Sequence, residues 1–503
     1  MTEWPDGLVL ALEIGLIVYA LFVAVTIVLE RRRPTATIAW ILSLVLLPGL
    51  GLLAYVFIGR RKARVSRRRA RRQRELARES TETLARLEHS PAELEPRAAG
   101  LVRLALQRGA APVRRAEAVD ILPHPAEVFA AIEAAIQAAR YRIHLEFYIW
   151  RDDDTGRKLI ELLSERAAAG VEVRLLYDEI GSISTPRRHF APLREAGGSV
   201  AAFAPLRLRL RLPRGRIDFR NHRKVVCIDG EVGFVGGINV GNEYRGVTAH
   251  GRVWNDLFVR IRGDAILGLE AMFLDDWASA TREQVALASG LPASSSIQAA
   301  RSTLAERRSN TGGPLVQIVP SGPNIAPSGR EHNASVIAET FLAAIGTSME
   351  RVWVVTPYFI PDAALNSTLQ TAALRGVDVK IIVPNLSDND LRFVALAARS
   401  YYDDLLEAGC KIYEYAPGMN HAKYMIIDDT VAVIGSANMD VRSLYLNYEV
   451  TAIVYDDDVT AELAEAFRED LADTETVGVE QRREVPLGER FAEGLVRLLS
   501  PLL

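Results

Sequence analysis

The chain predicts an α/β protein made of two similar sandwich halves related by a pseudo-twofold axis and preceded by a membrane-anchoring helical hairpin. Three observations carry this. The stretch NHRKVVCIDGEVGFVGGIN, from Asn221 to Asn239, returns as NHAKYMIIDDTVAVIGSAN from Asn420 to Asn438. Strand-like and helix-like segments alternate around each copy, the pattern of a sheet with helices on its faces. Two long apolar runs stand ahead of both copies.

The first apolar run, Leu8 to Leu29, has 22 residues and a single charge, Glu13. A helix of about 20 apolar residues spans a bilayer core. Glu13 lies off-centre, where a charge costs less than the ~2.5–3.5 kcal/mol of a central one. After Glu30-Arg31-Arg32-Arg33-Pro34, the run from Thr35 to Ile58 is uncharged but broken by Pro48-Gly49-Leu50-Gly51. That break predicts a kinked or re-entrant segment rather than a straight span. A cleaved leader fits less well, because Glu3 and Asp6 stand where a basic region belongs. Residues 1–60 therefore read as an anchor. Ten of the fifteen residues from Arg60 to Arg74 are Lys or Arg, so 61–114 reads as a basic juxtamembrane helix and linker. Its charge favours anionic membrane lipids and places the remaining chain in the cytoplasm. Arg31–Arg33 in the short connecting loop leave the number of spans open.

The body follows as a repeat. EVFAAIEAAIQAARYRIHLEFYI, from Glu127, reads as an amphipathic helix and then a strand, and IAETFLAAIGTSMERVWVVTPYFI, from Ile337, has the same design. Each is followed by a second helix ending at a glycine, Gly170 or Gly376, as a helix C-terminus favours. A second strand comes next, VEVRLLYD or VDVKIIVP. The halves span 115–290 and 312–475, joined by an Ala/Ser-rich linker at 291–311 and followed by a tail at 476–503. Two cysteines, Cys227 and Cys410, without a CxxC pair, argue against a disulfide framework or a cysteine-bound metal. A net charge of −3 over 503 residues argues against a nucleic-acid partner.

The repeated stretch carries the chemistry. In a strand, residues two apart share a face, so His222 points with Lys224 and His421 with Lys423. Asp229-Gly230 favours a tight hairpin turn, which gives Asp229, and Asp428 after it, an architectural reading. The return strands end in Gly236-Gly237-Ile238-Asn239 and Gly435-Ser436-Ala437-Asn438. Small residues there allow close backbone approach, and the asparagine amides offer donors. Two copies facing one space would place two ammonium groups and two amides around a phosphodiester, with a histidine on either side. One neutral imidazole could attack phosphorus while the other, protonated, supplies the leaving alkoxide with a proton. The adjacent lysines and the absence of H-E-x-x-H spacing predict no metal. Each imidazole needs an orienting partner. Asp256 in VWNDLFVRI and Glu449 in LNYEVTAIV, 34 and 28 residues after their histidines, are carboxylates in apolar strands and fill that role. Glu146 and Tyr358 are further candidates for the cleft wall. The alternation in RLRLRLPRGRIDFR, from Arg207 to Arg220, predicts a strand with one basic face for anionic headgroups.

H-x-K-x4-D followed by G-[GS]-x-N, present twice, resembles the phospholipase D superfamily, and the resemblance covers nearly the whole chain. The longer strings DFRNHRKVVCIDGEVGFVGGINVGNEY and HAKYMIIDDTVAVIGSANMDVRSLYLNYE, with QIVPSGPN at 317–324, are similar to its bacterial cardiolipin synthases. The resemblance implies two phospholipase D-like halves at the bacterial inner membrane and phosphatidyl transfer between two phosphatidylglycerols. The products would be cardiolipin and glycerol, made without cofactor or metal. It implies a catalytic set of His222, Lys224, Asp229, His421, Lys423 and Asp428, with Gly237, Asn239, Ser436 and Asn438 around the phosphate. It also implies that His222 is the nucleophile and His421 the acid and then the base. The residues themselves leave open which histidine attacks, whether water replaces the lipid acceptor to give phosphatidic acid, whether the substrate is another phosphodiester, and the oligomeric state.

Overall fold

The computed structural model describes residues 94–203, 219–246, 253–287, 313–323 and 335–498 apart from 388 and 390, together with parts of 15–55. Two compact units divide the chain, residues 1–71 with 206–219 and residues 72–205 with 220–503. In the first unit, the helix Pro34–Leu46 stops short of Pro48. Val23, Ile27, Leu44 and Tyr55 form a small apolar cluster with Tyr19 and Trp40. Among the described residues no helix is long and apolar enough to cross a membrane. The basic run 60–74, the arginine-rich stretch up to residue 218 and the linker 291–311 lie outside the described residues.

The body is written in strands. β1 (Arg114–Arg115) comes first, then β2 (Ala118–Leu122), β3 (Arg142–Phe147), β4 (Glu172–Asp178), β5 (Ser199–Phe203), β6 (Val225–Ile228), β7 (Val232–Gly236), β8 (Val253–Asn255) and β9 (Phe258–Arg262). The second half continues with β10 (Leu315–Ser321), β11 (Arg351–Val355), β12 (Phe359–Ile360), β13 (Asp378–Pro384), β14 (Lys411–Tyr415), β15 (Gly418–Asn420), β16 (Tyr424–Ile427), β17 (Val431–Gly435), β18 (Met439–Asp440), β19 (Glu449–Tyr455) and β20 (Thr474–Thr476). One sheet runs β2-β9-β7-β6-β3-β4-β5 and the other β1-β10-β19-β17-β16-β11-β13-β14-β20. Without its edge strands β1 and β20, the second sheet repeats the order of the first. In each, the three strands β3-β4-β5 or β11-β13-β14 are parallel and the rest antiparallel.

Local chemistry sets the parallel crossovers. Asp153 accepts from Gly156 N at 3.0 Å to start the helix Asp154–Ala168, and Asp362 accepts from Leu365 N at 2.9 Å to start Ala363–Leu374. Both helices stop where Gly170 and Gly376 turn left-handed, with φ of 90° and 92°. One apolar cluster fills the outer face of the first sheet, under Pro125–Ala138 and Asp154–Ala168. Another fills the outer face of the second, under Val336–Thr347 and Ala363–Leu374. A third joins the two sheets: Val225, Cys227 and Val235 share it with Trp353, Ile426 and Ile434. Cys227 is therefore a packing residue, and burial pushes its thiol up.

Two segments extend beyond the halves as read from sequence. Arg114 and Arg115 pair with Val316 and Leu315, and the helix Pro96–Gln107 packs on Val336–Thr347, where Arg108 pairs with Glu339. Residues 96–115 thus extend the second sheet. At the start of the tail, β20 pairs with β14, and Arg482 ties the last helices to Asp403 at 2.8 Å.

Candidate active site

Each histidine is set by a turn that its own sequence closes. Asn221 Oδ1 accepts from Arg223 N at 3.1 Å, and Asn420 Oδ1 accepts from Ala422 N at 3.2 Å. These Asx turns bracket His222 and His421. Both then hand their backbone to the opposite half. His222 N donates to Tyr448 O at 2.9 Å, and His421 N donates to Asn255 O at 2.7 Å. β15, leading into His421, pairs in parallel with β8, and Asn221 bridges Tyr448. The residue following each acceptor is one of the carboxylates, Glu449 or Asp256.

The imidazole partnerships are consequently crossed. His222 Nδ1 lies 3.0 Å from Oε1 and 3.1 Å from Oε2 of Glu449, and His421 Nδ1 lies 2.7 Å from Asp256 Oδ2. The two carboxylates read from sequence are the partners, but each serves the histidine of the other half. The lysines stand beside them. Lys224 Nζ donates to His222 O at 2.6 Å and sits 5.4 Å from the centre of the Tyr148 ring. Lys423 Nζ donates to His421 O and lies 2.9 Å and 3.3 Å from the two ring nitrogens of His421. All four side chains are buried.

The glycine and serine of the return strands hold the carboxylates. Ser436 Oγ donates to Glu449 Oε2 at 2.6 Å and accepts from Val450 N at 3.0 Å. A Cβ on Gly237, its counterpart, would meet Asp256 Oδ1 at 2.3 Å, so the first half has no room for a hydroxyl there. Asn239 Oδ1 accepts from Ile149 N at 3.1 Å, and Asn438 Nδ2 donates to Asp440 Oδ2 at 3.1 Å. These two amides secure neighbouring backbone and side chains.

Asp229 and Asp428, expected in the catalytic set, are not brought to the histidines. Each sits beyond a four-residue strand, at φ 54° and 51°. Asp229 accepts from the backbone N–H of Arg140, Tyr141 and Arg142, each at 2.8 Å. Asp428 Oδ1 accepts from Met349, Glu350 and Arg351 at 3.0, 2.8 and 3.1 Å. A carboxylate at a left-handed corner is thus used up in fastening the hairpin to the start of its neighbouring strand. Glu146 also departs from the cleft-wall reading. It accepts from the Asn221 amide beside Asp276 and Arg223, and burial with the Asp276 charge pushes its carboxyl well up. Tyr358 does line the site, its ring 6.4 Å from that of His421.

Sequence reasoning missed the rest of the aromatic wall and one cation. Tyr148 packs edge-on to His222 at 4.9 Å, and Trp254 faces His421 at 5.2 Å. The signal for Tyr148 was present, because FYI and PYF close corresponding strands. Arg223, the variable residue of the first motif, is buried. Its Nε donates to Glu449 O at 3.0 Å and Nη2 to Ser321 O at 2.9 Å, while Nη1 pairs with Asp276. The second motif has Ala422 at this position.

Burial dominates the electrostatics and acts unequally on the two pairs. It pushes His222 down to about 4, against the opposing pull of Glu449. Burial, with Lys423 and Lys224 nearby, pushes His421 well down. Burial also pushes Asp256 up to about 7. Glu449 is equally buried, yet His222, Lys224 and the Ser436 hydroxyl outweigh that and hold it below the usual range. Burial lowers Lys224 as well. At neutral pH the Glu449–His222 pair is an anion beside a neutral imidazole, whereas in the Asp256–His421 pair the carboxyl, not the imidazole, is the group raised toward neutrality. Among the described residues no group of three or more His, Cys, Asp or Glu is placed to hold a metal ion.

The family described as "Cardiolipin synthase, PLD-like domain" matches residues 132–249 and 341–471, one match on each half, and "Phospholipase_D-nuclease N-terminal" matches residues 14–60. A cardiolipin synthase of Geobacillus kaustophilus is 37% identical over 486 residues, covering 96% of this chain and 92% of that protein. That of Halalkalibacterium halodurans is 36% identical over 503 residues, covering 99% and 95%. In three dimensions a phosphatidylserine synthase of Haemophilus influenzae superposes with a TM-score of 0.59 at 16% identity, covering 80% of this chain and 99% of its own; it shares the fold. With both halves matched and curated relatives aligned along nearly their full length, this chain belongs to the cardiolipin synthases of the phospholipase D superfamily.

Proposed function

We propose that the protein transfers a phosphatidyl group from one phosphatidylglycerol to a glycerol hydroxyl of another, forming cardiolipin and releasing glycerol, at a bacterial membrane to which residues 1–60 attach it with the body on the cytoplasmic side. The observation that carries this reading is the pair of crossed histidine–carboxylate contacts, which puts two imidazoles in one buried site, each against its own carboxylate. Glu449 accepts Nδ1–H of His222 and leaves the Nε2 lone pair free to attack phosphorus. The P–O bond to glycerol breaks as the N–P bond forms, and the proton held by the Asp256–His421 pair passes to the departing alkoxide. The phosphatidyl-His222 that results is opened by the hydroxyl of a second phosphatidylglycerol, whose proton returns to His421. One phosphodiester replaces another, so no external energy source is required. Lys224 and Lys423 face the non-bridging oxygens and offset the charge that builds on them.

The test is the purified protein in liposomes with phosphatidylglycerol as sole lipid, followed by mass spectrometry. Cardiolipin and glycerol rise together in the wild type and disappear in His222→Ala and in His421→Ala. Phosphatidic acid without cardiolipin would replace this reading with hydrolysis.

A further inference from the structure

The helix Leu487–Arg497 is inside-out for a helix bathed only in water. Glu493 is its buried residue, gripped by Arg482 at 2.9 Å and 2.7 Å, and Val496 packs on the core. Leu487, Phe491, Leu495 and Leu498 are 85%, 73%, 54% and 74% exposed. At ~100° per residue these four project within an arc of about 80°, opposite Glu493 and Val496. Single exposed leucines are common on protein surfaces, but a continuous stripe of four large side chains marks a contact face. Beyond the helix the sequence adds Leu499, Leu502 and Leu503.

Two features say what covers the stripe. Arg490 and Arg497 flank it on one side; Arg490 pairs with Asp403 at 3.5 Å, so Arg497 is the cation of this border suited to anionic headgroups. The helix that carries the stripe also packs on a segment that reaches the active site. The helix Arg392–Arg399 packs against Leu487–Arg497, Arg497 donates to Ser400 O at 3.1 Å, and Leu391 and Phe393 at its start are also exposed. The same segment reaches the rim through Asn389 Nδ2, which donates to Pro357 O at 3.3 Å, next to Tyr358 over His421.

The geometry points to a lipid-bilayer surface as the occupant. The C-terminal helix lies in the membrane interface, with Leu487, Phe491, Leu495 and Leu498 among the acyl chains and Arg497 at phosphate level. It is a membrane contact separate from residues 1–60. This rests on the proposed function, because a cleft that takes diacyl lipids must be held against the membrane that contains them.

Cys227 and Cys410 are both buried, so Phe491→Cys in the full-length protein gives an accessible thiol for an environment-sensitive fluorophore. The labelled protein is reconstituted in vesicles of phosphatidylglycerol and phosphatidylcholine carrying brominated acyl chains. The expected result is blue-shifted emission quenched by lipids brominated close to the headgroup, and the same behaviour with His222→Ala added. That second protein separates lipid contact from turnover, so the surface stands or falls independently of the reaction. A probe open to aqueous quenchers and untouched by brominated lipid overturns the inference. So does shielding that grows with protein concentration without bromolipid quenching, which would mark a protein–protein face. As a second readout, Leu487→Ser/Leu495→Ser/Leu498→Ser raises KM for vesicle phosphatidylglycerol severalfold while kcat and turnover of a soluble short-chain analogue hold. Equal loss on both substrates would reduce the stripe to a structural element and refute the inference.

Discussion

The crossed partnership separates two substitutions that would otherwise look alike. If Asp256 supports His421, then Asp256→Asn disables the acid, whereas Glu449→Gln disables the nucleophile. The magnitude follows from the contact. With Asp256 Oδ2 at 2.7 Å from Nδ1, the charge centres of carboxylate and imidazolium are about 4 Å apart, worth ~4 kcal/mol at an effective dielectric of 20. That corresponds to about a thousandfold in rate, inside the ~10²–10⁴ range of general acid catalysis. Cardiolipin formation in Asp256→Asn therefore falls by about three orders of magnitude. A phosphatidyl ester of p-nitrophenol removes the need for an acid, because nitrophenolate leaves without a proton. On this substrate Asp256→Asn and His421→Ala still release a burst of nitrophenol stoichiometric with enzyme and then stall, with the phosphatidyl group trapped on protein. Glu449→Gln and His222→Ala give no burst. Rapid-quench kinetics with intact-protein mass spectrometry reads both events. The reverse pattern, a burst in Glu449→Gln and none in Asp256→Asn, would refute the crossed assignment.

Two further outcomes follow from the same contacts. Ser436→Ala removes a charge-assisted hydrogen bond to Glu449 worth ~1.5–3 kcal/mol; the carboxylate then holds protons more tightly, and the acid limb of the kcat/KM profile moves up by about one pH unit, while an unmoved limb would deny the serine this role. Asp229→Ala strips three backbone donors of their acceptor and lowers unfolding stability by about 3 kcal/mol, yet kcat measured well below the melting temperature stays near wild type; a large loss of kcat in folded protein would return Asp229 to the chemistry.

What the sequence made legible was whatever is repeated or local. His222, Lys224, His421 and Lys423 stood out because a duplicated spacing is hard to obtain by chance, and Asp256 and Glu449 because a carboxylate in an apolar strand needs a partner. Which carboxylate serves which histidine was hidden, since spacing within a half says nothing of where the other half docks. Strand direction was hidden for a similar reason: periodicity gives the pleat but not the neighbour, so a mixed sheet reads like a parallel one. β1, two residues long, is too short to show any period, and its pairing with β10 depends on tertiary contact. The buried polar face of β3, with Arg142, His144 and Glu146 alternating, could be seen as a pattern, but its partners Glu270 and Asp276 lie on the helix Leu267–Thr281, far along the chain. The C-terminal stripe has helical spacing that a soluble core helix would share, and only its exposure sets it apart.

The crossing also explains why the two halves behave as one catalyst. Separated, each half would carry a carboxylate, Asp256 or Glu449, without the imidazole it faces. Each would also lose the acceptor for a histidine N–H, and Arg223 would lose the Glu449 and Ser321 carbonyls that order it. Docking the halves and assembling the site are therefore one event. Within that near-symmetric frame, Gly237 and Ser436 give the two carboxylates different surroundings. Ser436 donates to Glu449 and adds to the pull of His222 and Lys224 that holds it below the usual carboxylate range. Gly237 leaves Asp256 with the Leu257 N–H and His421 as its hydrogen-bond partners, and burial then lifts it to about 7. On the proposed reading, a duplicated motif can supply both a nucleophile and an acid because its copies differ around the carboxylate, in Gly237 against Ser436, Arg223 against Ala422 and Asp256 against Glu449.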